Sequence, residues 1–186
     1  RPNINIITNI GTAHVGNLVN RKGIAREKSD IFFYSNQKDC SIIPSDDEFY
    51  EFLKGKASKK FNFIYTFGKK KISTFQYFDN GYEEKIVKFK IFDKNYNFQK
   101  KISFNNWENN IAVILGLIQI LNLKIKNLKK KIEQLRPIEG RGKLHSIKVN
   151  NKKIILIDES YNSSPDSLKK SIENLRYFKK IQGRII

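Results

Sequence analysis

From residue 61 to residue 102 the chain reads as four β-prone runs, 61–67, 72–78, 84–92 and 96–102, separated by polar turns. In the third run Ile86, Lys88 and Lys90 alternate with Val87, Phe89 and Ile91. A period of two places the apolar set on one face and the lysines on the other, so this sheet has a core side and a wet side. Asn80-Gly81, between the second and third runs, carries the chemistry of a tight hairpin turn. A helix is expected next at 108–121, apolar nearly all round and therefore buried. Ile125, Leu128, Ile132 and Leu135 then keep helical spacing until Pro137.

Upstream, strand and helix patterns interleave. Residues 5–10 form a short β-prone run that Gly11 ends, and 23–34 fit a helix whose Ile24, Ile31 and Phe32 can face a core. Residues 40–43 read as a strand stopped by Pro44. Ser45 is then placed to cap a helix running to about residue 54, with Asp46, Asp47 and Glu48 at its positive end. Residues 137–143 (PIEGRGK), with two glycines and a proline, read as an interdomain joint. Beyond it, 145–149 and 153–157 suit a hairpin around Asn150-Asn151. Ser164 is expected to cap a helix that starts at Pro165 and bears Leu168, Ile172, Leu175 and Phe178. Residues 184–186 look like the start of a buried strand. With no methionine anywhere, the sequence is expected to be a piece of a longer protein.

Composition narrows the function classes. Hydrophobic residues make up 39% and aromatics 12% of the 186 residues, enough for a core and too much for a disordered chain. No stretch reaches the roughly 18–20 consecutive apolar residues of a membrane span, so no membrane insertion is expected, and residues 1–4 do not resemble a secretory signal. Cys40 is the single cysteine, which rules out an internal disulfide or a thiolate metal cluster. A reducing cytoplasm is its natural setting and a buried structural role its expected one. The net charge of +18 raises the question of nucleic acid. Seven of the 36 basic residues are arginine, and the lysines are spread along the whole chain. A phosphate-tracking surface concentrates its charge and favours arginine, so no nucleic-acid partner is expected. A basic nucleic-acid-binding module stays as the alternative from another class, with a steep salt dependence as its mark.

Three clusters carry chemistry. The first is Ile7-Thr8-Asn9-Ile10-Gly11-Thr12-Ala13-His14 with Gly23-Ile24-Ala25-Arg26-Glu27-Lys28. The second is Asn106-Trp107-Glu108-Asn109-Asn110-Ile111-Ala112. The third is Gly140-Arg141-Gly142-Lys143 with Ile157-Asp158-Glu159-Ser160-Tyr161-Asn162-Ser163-Ser164-Pro165. In order and spacing they resemble the Mur ligases, and the resemblance spans essentially the whole chain. Within that family it leans towards the branch that adds D-alanyl-D-alanine to UDP-N-acetylmuramoyl-tripeptide in cell-wall precursor synthesis. Another ligase of the same superfamily, such as a folylpolyglutamate synthase, is the alternative within the class.

The resemblance implies an α/β chain. Residues 1–136 would be the C-terminal part of a central ATP-binding domain with a small β-rich subregion forming a sheet attached to the central one. Residues 137–143 would be the joint, and 144–186 the start of a Rossmann-like C-terminal ligase domain. The implied reaction is an ATP-dependent, ADP-forming amide ligation through an acyl phosphate, with Mg²⁺ present and a monomeric full-length protein. Metal ions and basic groups must then meet charge on the transferring phosphoryl oxygens. By position, His14 matches a metal-binding histidine and Lys28 a lysine carbamylated to bind Mg²⁺ through oxygen. These two are the expected catalytic pair. Asn106, Asn110, Arg141 and Asp158 match nucleotide-site positions, and Tyr161 and Asn162 a segment facing the substrate. The sequence departs from the family pattern at Gly16, where many relatives carry an acid, and at Phe104 and Asn106, where a glycine and a histidine are usual. It contains no glycine-rich phosphate loop ending in Gly-Lys-Ser/Thr, so the chain alone is expected to be inactive.

Overall fold

The computed structural model describes residues 2–12, 20–78, 86–99, 107–161 and 165–175. One sheet organises the first two thirds of the chain. Its strands are β1 (Ile4–Ile6), β2 (Cys40–Pro44), β3 (Phe63–Gly68), β4 (Phe75–Phe78), β5 (Ile86–Ile91) and β6 (Lys94–Gln99), neighbours in space in that same order. The β1–β2, β2–β3 and β3–β4 pairs are parallel, and β4–β5 and β5–β6 antiparallel. The 61–102 region is therefore not a small attached sheet. It continues the parallel one edge to edge, and β4 is where the strand direction changes.

The two halves of the sheet are buried differently. All five residues of β2 are buried: Ile42 faces one core and Ile43 the other, as a strand covered on both faces requires. Helix α1 (Arg21–Ser29) and helix α2 (Tyr50–Ala57) cover the Ile43 face through Ile24, Ala25 and Leu53. Helix α3 (Glu108–Ile120) and the short α4 (Leu128–Glu133) cover the Ile42 face, α3 across β3 to β5 and α4 against β6. Past β4 the described elements cover only this second face. In β5 Val87, Phe89 and Ile91 are buried while Ile86, Lys88 and Lys90 are exposed, as the alternation predicted. Asn80-Gly81 lies outside the described residues.

Local chemistry explains the element boundaries. Asn20 caps α1, its Oδ1 accepting from the Gly23 N–H at 3.0 Å. The helix tightens into a 3₁₀ turn at Asp30–Phe32, where Phe32 meets Phe61 edge to face at 5.3 Å. Ser45 does not cap a helix. Its hydroxyl donates to the Phe67 carbonyl at 2.9 Å and lies 2.6 Å from the Ser73 hydroxyl, so it ties β2 to β3. The α2 helix begins later, at Tyr50, after Asp47 Oδ1 accepts from the Phe49 N–H at 2.9 Å. The parallel step from β3 to β4 is short because the two strands overlap by only two residue pairs, Phe67 with Phe75 and Gly68 with Gln76. Thr66 and Thr74 lock that step, each backbone N–H donating to the other's hydroxyl at 3.2 and 3.0 Å.

After α4 comes a separate two-stranded sheet, β7 (Lys143–Val149) paired antiparallel with β8 (Lys152–Asp158). Its two-residue turn is Asn150-Asn151 with φ of 48° and 60°, the left-handed pair that a tight hairpin demands and asparagine tolerates. Helix α5 (Pro165–Asn174) follows and opens on Pro165 as expected. Leu168 and Ile172, on the predicted apolar stripe, are exposed. Ser164, Phe178 and residues 184–186 lie outside the described residues. Among the described residues no helix is long and apolar enough to cross a membrane.

Candidate functional site

Parallel strands gather their carboxyl ends on one edge, the customary ligand edge of an open α/β sheet. Here three segments leave that edge: residues 7–12 after β1, 45–49 after β2 and 68–71 after β3. Lys28, in the last turn of α1, reaches back to it, its Nζ donating to the Asn9 carbonyl at 2.8 Å. The Ile10 N–H donates to Asp47 Oδ2 at 2.9 Å, and Arg21 Nη2 donates to the Ile10 carbonyl at 2.8 Å. Arg21 also pairs with Glu48 at 2.8 Å and lies over the Phe49 ring at 5.5 Å. The third segment is tied to the second by Asp46, whose carboxylate accepts from the Lys69 N–H at 2.6 Å and the Lys70 N–H at 3.2 Å. Gly68 permits this closeness: at φ 150°, a Cβ there would stand 2.5 Å from Ser45 Oγ. The turn at 69–71 thus displays its lysines from a fixed backbone.

The second constellation lies in residues 137–161, around the 137–143 segment that the sequence reads as a joint. Asp158 accepts from the Gly140 N–H at 2.8 Å, the Ser160 N–H at 3.1 Å and the Ser160 hydroxyl at 2.6 Å. The Ser160 hydroxyl first, and then the Gly140 amide, hold its carboxyl below the usual carboxylate range. Gly140 has φ 72°, and a Cβ there would meet Tyr161 at 2.6 Å, which explains a glycine at this position. The Arg141 guanidinium sits 4.5 Å from the centroid of the Tyr161 ring, a cation–π contact. Lys143 pairs with Glu139 at 2.6 Å and draws the Glu139 carboxyl below its usual range.

Of the residues named from the sequence, Arg141, Asp158 and Tyr161 come together in this joint. Lys28 lies at the carboxyl edge with Asn9, and Asn110 is exposed in the first turn of α3. His14, Asn106 and Asn162 lie outside the described residues. Among the described residues no hydrogen bond joins the Lys28 group to the joint. Two residues of the edge escaped the sequence reading. By sequence Asp47 reads as a helix-dipole charge, and Arg21 as one basic residue among 36. The available signal was the adjacency of Asp46-Asp47 to a strand end, where carboxylates meet loop N–H groups.

Comparison with known proteins gives a consistent neighbourhood. Residues 1–131 match the family described as Mur ligase middle domain. The chain is 28% identical over 180 residues to the UDP-N-acetylmuramoyl-tripeptide–D-alanyl-D-alanine ligase of Rickettsia prowazekii, covering 95% of this chain and 39% of that protein. A crystal structure of MurF from Acinetobacter baumannii superposes with a TM-score of 0.76 at 22% identity, covering 95% of this chain and 38% of that one. MurF ligase from Thermotoga maritima in complex with ADP superposes with a TM-score of 0.74 at 23% identity, covering 95% and 39%. These structural likenesses establish the fold. The chain spans well under half the length of each of these relatives.

Proposed function

This chain belongs to the Mur ligase family through its middle domain, and from that premise we propose that it works within an ATP-dependent ligase joining D-alanyl-D-alanine to UDP-N-acetylmuramoyl-tripeptide. The observation that carries the reading is the 28% identity over 95% of this chain to a protein named for that reaction. In this proposal a carboxylate oxygen of the tripeptide takes the terminal phosphoryl group of ATP, releasing ADP. The amine of D-alanyl-D-alanine then attacks the acyl carbon and phosphate leaves. Residues 1–136 act as part of the ATP-binding domain, 137–143 as the joint and 144–186 as the opening of the domain beyond it.

In this reading a hard cation would sit at the carboxyl edge. Lys28 is exposed there and anchored through its nitrogen, so its carbamate, together with His14, would hold Mg²⁺. The ion supplies charge neutralisation for the phosphoryl oxygens. Arg141 and Asp158, with Asn106 and Asn110, serve the nucleotide, and Tyr161 and Asn162 the substrate. The Arg141 guanidinium lies over the Tyr161 ring, so the nucleotide and substrate roles would fall to neighbouring side chains. Asp158 acts from within the joint, since both its carboxylate oxygens already accept hydrogen bonds. The enzyme is taken as a cytoplasmic monomer without a nucleic-acid partner.

The test is ADP release by the full-length protein. It is expected only with ATP, Mg²⁺ and both substrates present, and to fall by roughly 10²-fold or more in Lys28→Ala, the scale of a lost electrostatic contact to the transition state. The 186-residue chain alone is expected to release no phosphate, because it lacks a phosphate-cradling glycine loop. ADP release that ignores D-alanyl-D-alanine, or full activity in Lys28→Ala, would refute the assignment.

A further inference from the structure

One peptide unit at the carboxyl edge lies between two opposite charges. The carbonyl of Asn9 accepts from Lys28 Nζ at 2.8 Å, and the N–H of the same peptide, that of Ile10, donates to Asp47 Oδ2 at 2.9 Å. A cation at the oxygen and an anion at the N–H polarise a peptide in the same sense, so each hydrogen bond strengthens the other. Asp47 is itself fixed, because its second oxygen accepts from the Phe49 N–H at 2.9 Å. The next carbonyl, that of Ile10, is held by Arg21 at 2.8 Å, and Arg21 is braced by Glu48 at 2.8 Å and by the Phe49 ring. Two successive peptides leaving β1 are therefore clamped by side chains from α1 and from the segment after β2.

We propose that Asp47 is a positioning residue for Lys28, acting through the Asn9–Ile10 peptide, with Arg21 steadying the peptide that follows. A lysine head on four rotatable bonds has no preferred place of its own. Lys28 is exposed, and among the described residues the Asn9 carbonyl is the group that directs its nitrogen. That carbonyl can direct it only while the peptide is held from its other side. The inference rests on the reading of Lys28 as a working residue and adds how the chain aims it. Carbamylation fits the same arrangement. The neutral amine's lone pair forms the Nζ–C bond to carbon dioxide, and one C–O π pair moves onto oxygen. A proton passes from nitrogen to solvent water, in addition to the one the ammonium gave up to water first. The product keeps a single N–H, and the Asn9 oxygen is the acceptor within its reach.

The experiment uses the full-length protein and its Asp47→Asn variant, each treated with a limiting amount of N-hydroxysuccinimidyl acetate. Peptide mass spectrometry then gives the acetylation of Lys28 relative to Lys22, an exposed lysine on the same helix. In Asp47→Asn the Lys28/Lys22 ratio is expected to rise roughly fivefold, the size of one net hydrogen bond. A purely structural role for Asp47 would lower the melting temperature and leave this ratio where it was. In parallel, ¹³C-bicarbonate is used to look for a carbamate resonance that Lys28→Ala abolishes and Asp47→Asn weakens. If the wild type shows no such resonance, the carbamate reading falls while the labelling ratio still decides the positioning role. If Asp47→Asn does not fold, Arg21→Gln loosens the same segment with Asp47 in place, and the ratio should again rise. An unchanged ratio in a folded variant overturns the proposal.

Discussion

Asp158 answers three donors from within the joint, and the effect of pH on it follows from the sign of its shift. The Ser160 hydroxyl and the Gly140 amide keep its carboxyl below the ordinary value of 3.8. A carboxyl group depressed in the folded state contributes stability above its unfolded value and loses that contribution as pH falls through the folded value. The joint is therefore expected to hold at neutral pH and to loosen only in acid, below 3.8. Amide resonances of Gly140 and Ser160 followed through an acid titration check this, and a shared midpoint above 3.8 would contradict it. In Asp158→Asn the same acid transition should disappear. At this scale the sequence reading singled out Arg141, Asp158 and Tyr161 because their spacing along the chain carries a motif, and the fold brings the three side by side. It missed Asp47 and Arg21 because what both hold is the backbone leaving β1, a contact that residue type alone does not announce.

The α3 helix lies so close to the sheet that Gly116 has no room for a methyl group. A Cβ there would stand 2.3 Å from the Phe75 ring, and Phe75 is fully buried. Alanine would gain about 1 kcal/mol of helix propensity, yet overpacking a rigid core costs about 1–3 kcal/mol. Gly116→Ala is expected to lower stability by roughly 1 kcal/mol, read from urea unfolding with an unchanged slope. Elements whose period is set locally were legible: the β5 alternation, the Asn150-Asn151 turn and the Pro165 helix start all match. The misplaced helix start at Ser45 had a non-local cause. That serine is drawn to Phe67 and Ser73 on the far side of a strand that sequence alone does not bring near. The reading of α3 as covered nearly all round also went too far, since Ile114 is 42% exposed.

Across the whole molecule, one sheet carries two regimes of connection. Ile4 pairs with Cys40 and Cys40 with Phe63, each across an intervening helix, whereas β4 meets β5 and β5 meets β6 across short connections. Sequence alternation could report the strands but not that the two regimes share an edge, because that join is a two-residue overlap fixed by Thr66 and Thr74. This join has a consequence in time. Closing long loops costs chain entropy before any contact repays it, so near-neighbour pairings form first. The β4–β6 meander with α3 is expected to act as the folding nucleus, and the parallel strands to add on afterwards. Kinetic φ-values should then exceed about 0.5 for Phe89→Leu and stay below about 0.3 for Ile43→Val. The reverse order would show that the parallel half nucleates. If the meander does lead, the segment proposed to aim Lys28 is the last to assemble and the first to open, and the proposed chemistry sits on the part of the sheet that native-state fluctuations release most readily.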